Sequence, residues 1–89
     1  MIITFERSFS KSLDKLKDKQ VKDKLNELII SMEKADRLRD IPSIKPMKGH
    51  KGFYRIKIGD YRIGFELKSN VEILLILVAH RKDIYKRFP

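Results

Sequence analysis

The sequence contains no cysteine. That excludes disulfides and thiolate metal sites and is compatible with a reducing compartment. Histidine is scarce too: His50 and His80 are the two present, and they cannot build a metal site without carboxylate help that their surroundings do not offer. No metal and no cofactor is therefore expected. Three prolines, 42% hydrophobic residues and 37% charged residues describe a folded chain and not a disordered tail. Long apolar runs are missing as well. The longest, Ile73 to Ala79, falls far short of the ~20 residues needed to cross a bilayer. The amino terminus has no basic region followed by an apolar signal core, so no membrane association is expected and the protein should stay in the cytoplasm.

Acidic residues are scarce in one half only. Residues 1–42 carry ten Lys/Arg against eight Asp/Glu, a balance of +2, whereas residues 43–89 carry eleven against four, a balance of +7. The total of +9 thus sits mostly in the second half, which points to a polyanion site there. A membrane surface or an acidic protein partner would also satisfy it. Eighty-nine residues suffice for one modest core, and no repeat or low-complexity stretch divides them.

The most informative stretch is FYRIKIGDYRIGFEL, Phe53 to Leu67. Alternating apolar and charged residues on both sides of Gly59-Asp60 read as a β-hairpin with a two-residue loop. Ile58 then pairs with Tyr61, Lys57 with Arg62, Ile56 with Ile63, Arg55 with Gly64 and Tyr54 with Phe65. Side chains alternate faces, so Tyr54, Ile56, Ile58, Tyr61, Ile63 and Phe65 share the core face. The other face presents Arg55, Lys57 and Arg62 beside a glycine that leaves open space. Like charges placed opposite each other, as Lys57 and Arg62 are, cost about 0.2–1 kcal/mol. A sheet that keeps such a pair suggests a bound anion; a solvated face partly neutralised by Glu66 is the plainer alternative.

In chain order, Ile2 to Phe5 suits a strand and Ser8 a helix cap. Phe9, Leu13 and Leu16 predict a short amphipathic helix over Ser8 to Leu16. Lys17 to Gln20 reads as a turn. Val21, Leu25, Leu28, Ile29, Met32 and Ala35 predict a second helix with one apolar stripe. Asp40 to Pro46, with two prolines and no periodicity, reads as a connector. Val71 to Ala79 reads as a strand buried on both faces or central in its sheet. If Ser69 and Asn70 alone form the preceding turn, His80 falls on the core side. A loop one residue longer, which is preferred, pairs Lys68 with Glu72 and Arg62 with Val78. It keeps Leu67 inside and brings His80 to the edge of the basic face, across from Asp60. Ile84 and Phe88 anchor a short terminal helix, with Arg81 and Tyr85 also four residues apart.

The candidate site is therefore Arg55, Lys57 and Arg62 on the sheet, with His80, Arg81 and Tyr85 arriving at its end. Lys48 and Lys51, flanking Gly49, add phosphate-binding candidates that read equally well as solvated charge. Several cations around one phosphate stabilise a pentacovalent transition state more than the ground state, and the arginine fork binds two phosphate oxygens at once. Metal-free RNA cleavage also needs a base for the 2′-hydroxyl and an acid for the leaving 5′-oxygen. Tyr85 is a candidate base, or a ring on which a nucleobase stacks. His80 or Arg81 could assist the leaving group.

The order strand, two helices, then sheet resembles the RelE/ParE toxins of prokaryotic toxin–antitoxin operons. So do MKGHKGFYRIKIGDYRIGFEL at 47–67, LVAHRKDIYKRF at 77–88 and FERSFSKSLDKL at 5–16, so the resemblance spans 1–89 as one toxin domain. The most specific parts are G-x-YR-x-x-x-GDYR and HR-x-x-IY. The resemblance implies an α+β, microbial RNase-like fold: an N-terminal strand and a two-helix hairpin packed on a curved, mainly antiparallel four-stranded sheet, with a short C-terminal helix. It also implies a RelB-like antitoxin partner in a hetero-oligomeric complex that binds operator DNA. For the RelE branch it implies ribosome-dependent, metal-independent cleavage of mRNA in the ribosomal A site. By that resemblance Arg62 holds the scissile phosphate, Tyr85 is base or stacking residue, and Arg55 and Lys57 occupy sheet positions that are commonly lysines. Arg81 lies near an arginine assigned to leaving-group protonation, though the spacing around His80-Arg81 departs from the best-known pattern. Arginine at position 55 rules out proton transfer there but not phosphate binding. The expected function is an mRNA endonuclease. The alternatives are a ParE-like DNA gyrase inhibitor without RNase activity and a catalytically silent antitoxin-binding homologue.

Overall fold

The computed structural model describes all residues, Met1–Pro89. Strand β1 (Ile2–Phe5) leads into helices α1 (Arg7–Lys15) and α2 (Lys19–Lys34), and a single 3-10 turn at Leu38–Asp40 follows. Strands β2 (Ile44–Pro46), β3 (Phe53–Ile58), β4 (Tyr61–Ser69) and β5 (Glu72–His80) and helix α3 (Ile84–Arg87) complete the chain. The sheet has five strands in the order β1-β5-β4-β3-β2. The fifth strand, β2, comes from the Asp40–Pro46 segment read as a connector. A three-residue strand ending in proline carries no alternation long enough to register as one.

The hairpin has the register that its alternation dictates, every pair from Tyr54↔Phe65 to Ile58↔Tyr61 included. Gly59 has φ of 55° in the two-residue loop, a backbone region that a side chain opposes. Strand β1 runs parallel to β5; the β2–β3, β3–β4 and β4–β5 pairs are antiparallel.

The β4–β5 pairing follows the longer-loop register from Leu67↔Ile73 to Phe65↔Leu75 and departs from both alternatives at its two ends. Asn70 and Val71 make the turn, and Ser69 faces Glu72. Leu67 then faces Ile73, and Gly64 faces Leu77 although Phe65 faces Leu75. Lys68 and Ile76 are thus extra residues, one bulge on each strand. Beyond the second bulge Arg62 faces Ala79, not Val78, and His80 faces Tyr61, not Asp60. Leu67 does pack on the core as expected. Lys68, however, sits 3.7 Å from Glu66 instead of pairing with Glu72.

Thirteen buried residues form the larger core, between the helices and one face of the sheet: Phe9 and Leu16 from the α1 region, Val21, Leu25 and Met32 from α2, and Ile56, Ile58, Ile63 and Phe65 from the hairpin among them. A second cluster, Met47, Leu77, Ala79, Ile84 and Phe88, lies on the other face. It anchors α3, so that β5 is buried on both sides as its continuous apolar run requires.

Two local details position α1. Ser8 is not its cap; Glu6 holds that place without a side-chain bond. Strand β1 pairs with β5 only as far as Leu75, and the serines of α1 serve the edge beyond it. The Ser8 hydroxyl donates to the Ile76 carbonyl at 2.6 Å, and the Val78 N–H donates to Ser12 Oγ at 3.1 Å. In the Lys17–Gln20 turn Asp18 caps α2, accepting from the Gln20 and Val21 N–H groups at 3.0 and 3.2 Å. No helix is long and apolar enough to cross a membrane.

Candidate functional site

The face of the hairpin turned away from the large core carries the cations. Arg55 stands opposite Gly64, and Lys57 opposite Arg62. Because Lys45 pairs with Arg55 across β2 and β3, a third strand contributes a cation to the same face. The segment after β5 then folds back over it. Ile84 and Phe88 are buried, and the Phe88 ring lies over Gly64, where a Cβ would stand 2.6 Å from Cδ2. The space beside the glycine is therefore not open: it is the seat of Phe88. Seating α3 there suspends Tyr85 over Arg55, whose Cζ is 5.5 Å from the ring centroid. Such an exposed cation–π contact is worth about 0.5–1 kcal/mol.

The result is a cleft of ≈ 380 Å³ lined by Ser43, Lys45, Arg55, Lys57, Arg62, Arg81 and Tyr85. Five cations and one phenol meet there, and no carboxylate lines it. Arg62 is held from behind: Nη1 donates to the carbonyls of Gly59 and Tyr61 at 3.0 and 2.9 Å. That fixes the plane of the guanidinium and leaves the Nε and Nη2 donors for a ligand. Arg81 is steadied by its N–H, which donates to the Asp60 carbonyl at 2.8 Å, and by the Asp60 carboxylate 4.0 Å from Nε. Both side chains of that ion pair are largely exposed, so it contributes about 0–1 kcal/mol and does not neutralise the cleft. Lys45, Arg55 and Lys57 have no carboxylate partner. Tyr85 is 61% exposed, which places its ring at the mouth of the cleft and not in the sheet packing. Tyr54, Tyr61 and Phe65 pack on the large core and take no part.

Of the residues singled out in the sequence, the fold brings together Arg55, Lys57, Arg62, Arg81 and Tyr85. Lys48 lines an adjoining cleft that shares Arg55 and Tyr85. Lys51 is exposed in the turn before β3 and lines neither. His80 does not reach the site. The bulge at Ile76 turns it to the helix side, where its ring packs edge-on to Tyr61 at 5.5 Å and Nδ1 accepts from the Lys82 N–H at 3.2 Å. Of the two terminal candidates, only Arg81 lies in the cleft. Lys45 escaped sequence reasoning because its strand did; its alternation with Ile44, which faces Ile56 across the pair, was the one available signal.

The chain is similar to several known proteins. The family described as "ParE toxin of type II toxin-antitoxin system, parDE" matches residues 3–85. Toxin RelE3 of Methanocaldococcus jannaschii is 33% identical over 90 residues, with all of both chains covered. The structure is similar to a chain of the RelB–RelE antitoxin–toxin complex from Methanococcus jannaschii, with a TM-score of 0.81, 31% identity and coverage of 97% of this chain and 99% of that one. A copper-bound mutant toxin from Helicobacter pylori follows, with a TM-score of 0.68, 25% identity and coverage of 93% and 97%. The chain belongs to the RelE/ParE toxins of type II toxin–antitoxin systems.

Proposed function

We propose that this toxin is an endoribonuclease that cleaves mRNA in the ribosomal A site, and that a RelB-like antitoxin binds and silences it. The observation that carries the reading is the convergence of five cations and the Tyr85 hydroxyl in one cleft that no carboxylate lines. In the proposed reaction the Tyr85 hydroxyl oxygen accepts the proton of the 2′-hydroxyl while its own proton passes to water at the open mouth of the cleft. O2′ attacks phosphorus, the P–O5′ bond breaks, and a 2′,3′-cyclic phosphate and a 5′-hydroxyl result. The Nε and Nη2 donors of Arg62 grip the non-bridging oxygens, whose charge grows in the transition state. Arg81 hydrogen-bonds the leaving 5′-oxygen, which takes its proton from water at the open mouth of the cleft. Arg55, Lys57 and Lys45 hold the flanking phosphates. The antitoxin follows from the similarity to a toxin solved as a RelB–RelE complex.

A second reading, inhibition of DNA gyrase without RNA chemistry, is favoured by one observation: the matching family carries the parDE description. Primer extension on mRNA in an in-vitro translation reaction separates the two. The expected result is cleavage within A-site codons, reduced about 10²–10³-fold by Arg62→Ala, as for loss of one oxyanion donor. Intact mRNA with blocked supercoiling would transfer the assignment to gyrase.

A further inference from the structure

Behind the Arg55–Tyr85 contact lies a second cleft of ≈ 350 Å³, less densely cationic than the first. Pro46, Met47, Phe88 and Pro89 supply apolar lining, and Lys48 and His50 stand with them. Arg55 and Tyr85 line both clefts, so the two adjoin on either side of that contact. The loop that carries His50 is built rigidly. The Met47 N–H donates to the Phe53 carbonyl at 2.8 Å, the His50 N–H to the Met47 carbonyl at 3.1 Å, and the Phe53 N–H to the His50 carbonyl at 3.2 Å. Gly49 and Gly52 take positive φ of 81° and 87° on either side of the histidine. The apolar wall is equally fixed: Met47 and Phe88 belong to the buried cluster, and Phe88 packs edge-on to Phe53 at 5.9 Å. Only the polar tip is uncommitted, since the His50 side chain has no hydrogen-bond partner within the chain.

We infer that this cleft is a nucleobase pocket for single-stranded RNA: it takes the base of the nucleotide next to the cleaved phosphate, and His50 reads that base. The volume falls in the range of small-ligand sites, which pair apolar walls with a few placed polar groups. A phosphate held by Arg62 and Arg55 leaves the neighbouring base beside a cleft that Arg55 also lines, with the exposed Tyr85 ring as the stacking surface. The histidine ring offers a donor and an acceptor to the base edge. Because the loop is held before binding, little ordering cost blunts the discrimination between bases.

The inference rests on the endonuclease reading, so its test has two arms. In the first, cleavage sites are mapped by sequencing across a translated transcript pool for the wild type and for His50→Ala. The expected result is that the variant still cuts but loses base preference at one codon position by about five- to tenfold, the weight of one hydrogen bond. An unchanged profile would overturn the pocket while leaving the nuclease intact. In the second arm, the four nucleoside monophosphates and inorganic phosphate are titrated into the protein and followed by NMR. Shifts of the Met47 methyl and His50 ring signals with the nucleotides, absent with inorganic phosphate, are expected even if the wild type cuts no mRNA. Identical responses to both would sink the proposal.

Discussion

A methyl group at position 64 would stand 2.6–2.7 Å from three atoms of the Phe88 ring, well inside van der Waals contact. Gly64→Ala is therefore expected to push the ring off the sheet, at about 1–3 kcal/mol, the usual range for overpacking. Phe88→Ala, which empties a site only 3% exposed, should cost about 3–5 kcal/mol. In the double variant the added methyl meets no ring, so urea denaturation should give less than the sum of the two costs; strict additivity would refute the seat. Arg62 follows a different logic. Its side chain donates to the Gly59 and Tyr61 carbonyls and still presents two donor atoms to the cleft. Arg62→Lys keeps the charge but cannot do both at once, and cleavage in the primer-extension assay should drop by about tenfold or more.

At the scale of elements, the two helices before the sheet are held by different polar devices. Helix α2 depends on Asp18, whose carboxylate accepts from two of its first N–H groups. Asp18→Ala should cost about 1 kcal/mol, read as a Tm lower by about 4–8 °C for a domain of this size. Helix α1 takes over where β1 stops. Ser12 is buried, accepts from Val78 and donates to the Phe9 carbonyl at 2.8 Å. Ser12→Ala leaves the Val78 N–H unsatisfied, and chemical denaturation should register a loss of about 1–3 kcal/mol. Neither substitution touches the cationic cleft, so the folded variants should keep the wild-type cleavage pattern.

Over the whole molecule, the helices and the large core occupy one face of the sheet, and the cations of β2, β3, β4 and the tail collect on the other. Binding of the isolated toxin to single-stranded RNA should therefore be strongly salt-dependent. Three to five phosphate contacts predict a slope of about −2 to −3.5 in log K against log salt, measurable by fluorescence anisotropy. A flat salt response would mean that the cleft does not hold phosphate. Much of this layout is written locally. The alternation from Phe53 to Leu67 around one Gly-Asp turn fixes the hairpin register and hence the face of Arg55, Lys57 and Arg62, because strand periodicity and turn length leave one pairing that buries the apolar set. The spacing of Ile84 and Phe88 likewise anticipates the anchoring of the last helix. Three things are decided only when the chain closes on itself. Lys45 joins the site because a strand too short for a pattern finds β3 as its partner. His80 leaves it because the bulge at Ile76 switches the face alternation of β5, and a bulge follows from how the sheet must twist and pack. Tyr85 reaches Arg55 because a glycine in one strand leaves room for a phenylalanine near the end of the chain, a fit between two surfaces that neither segment specifies alone.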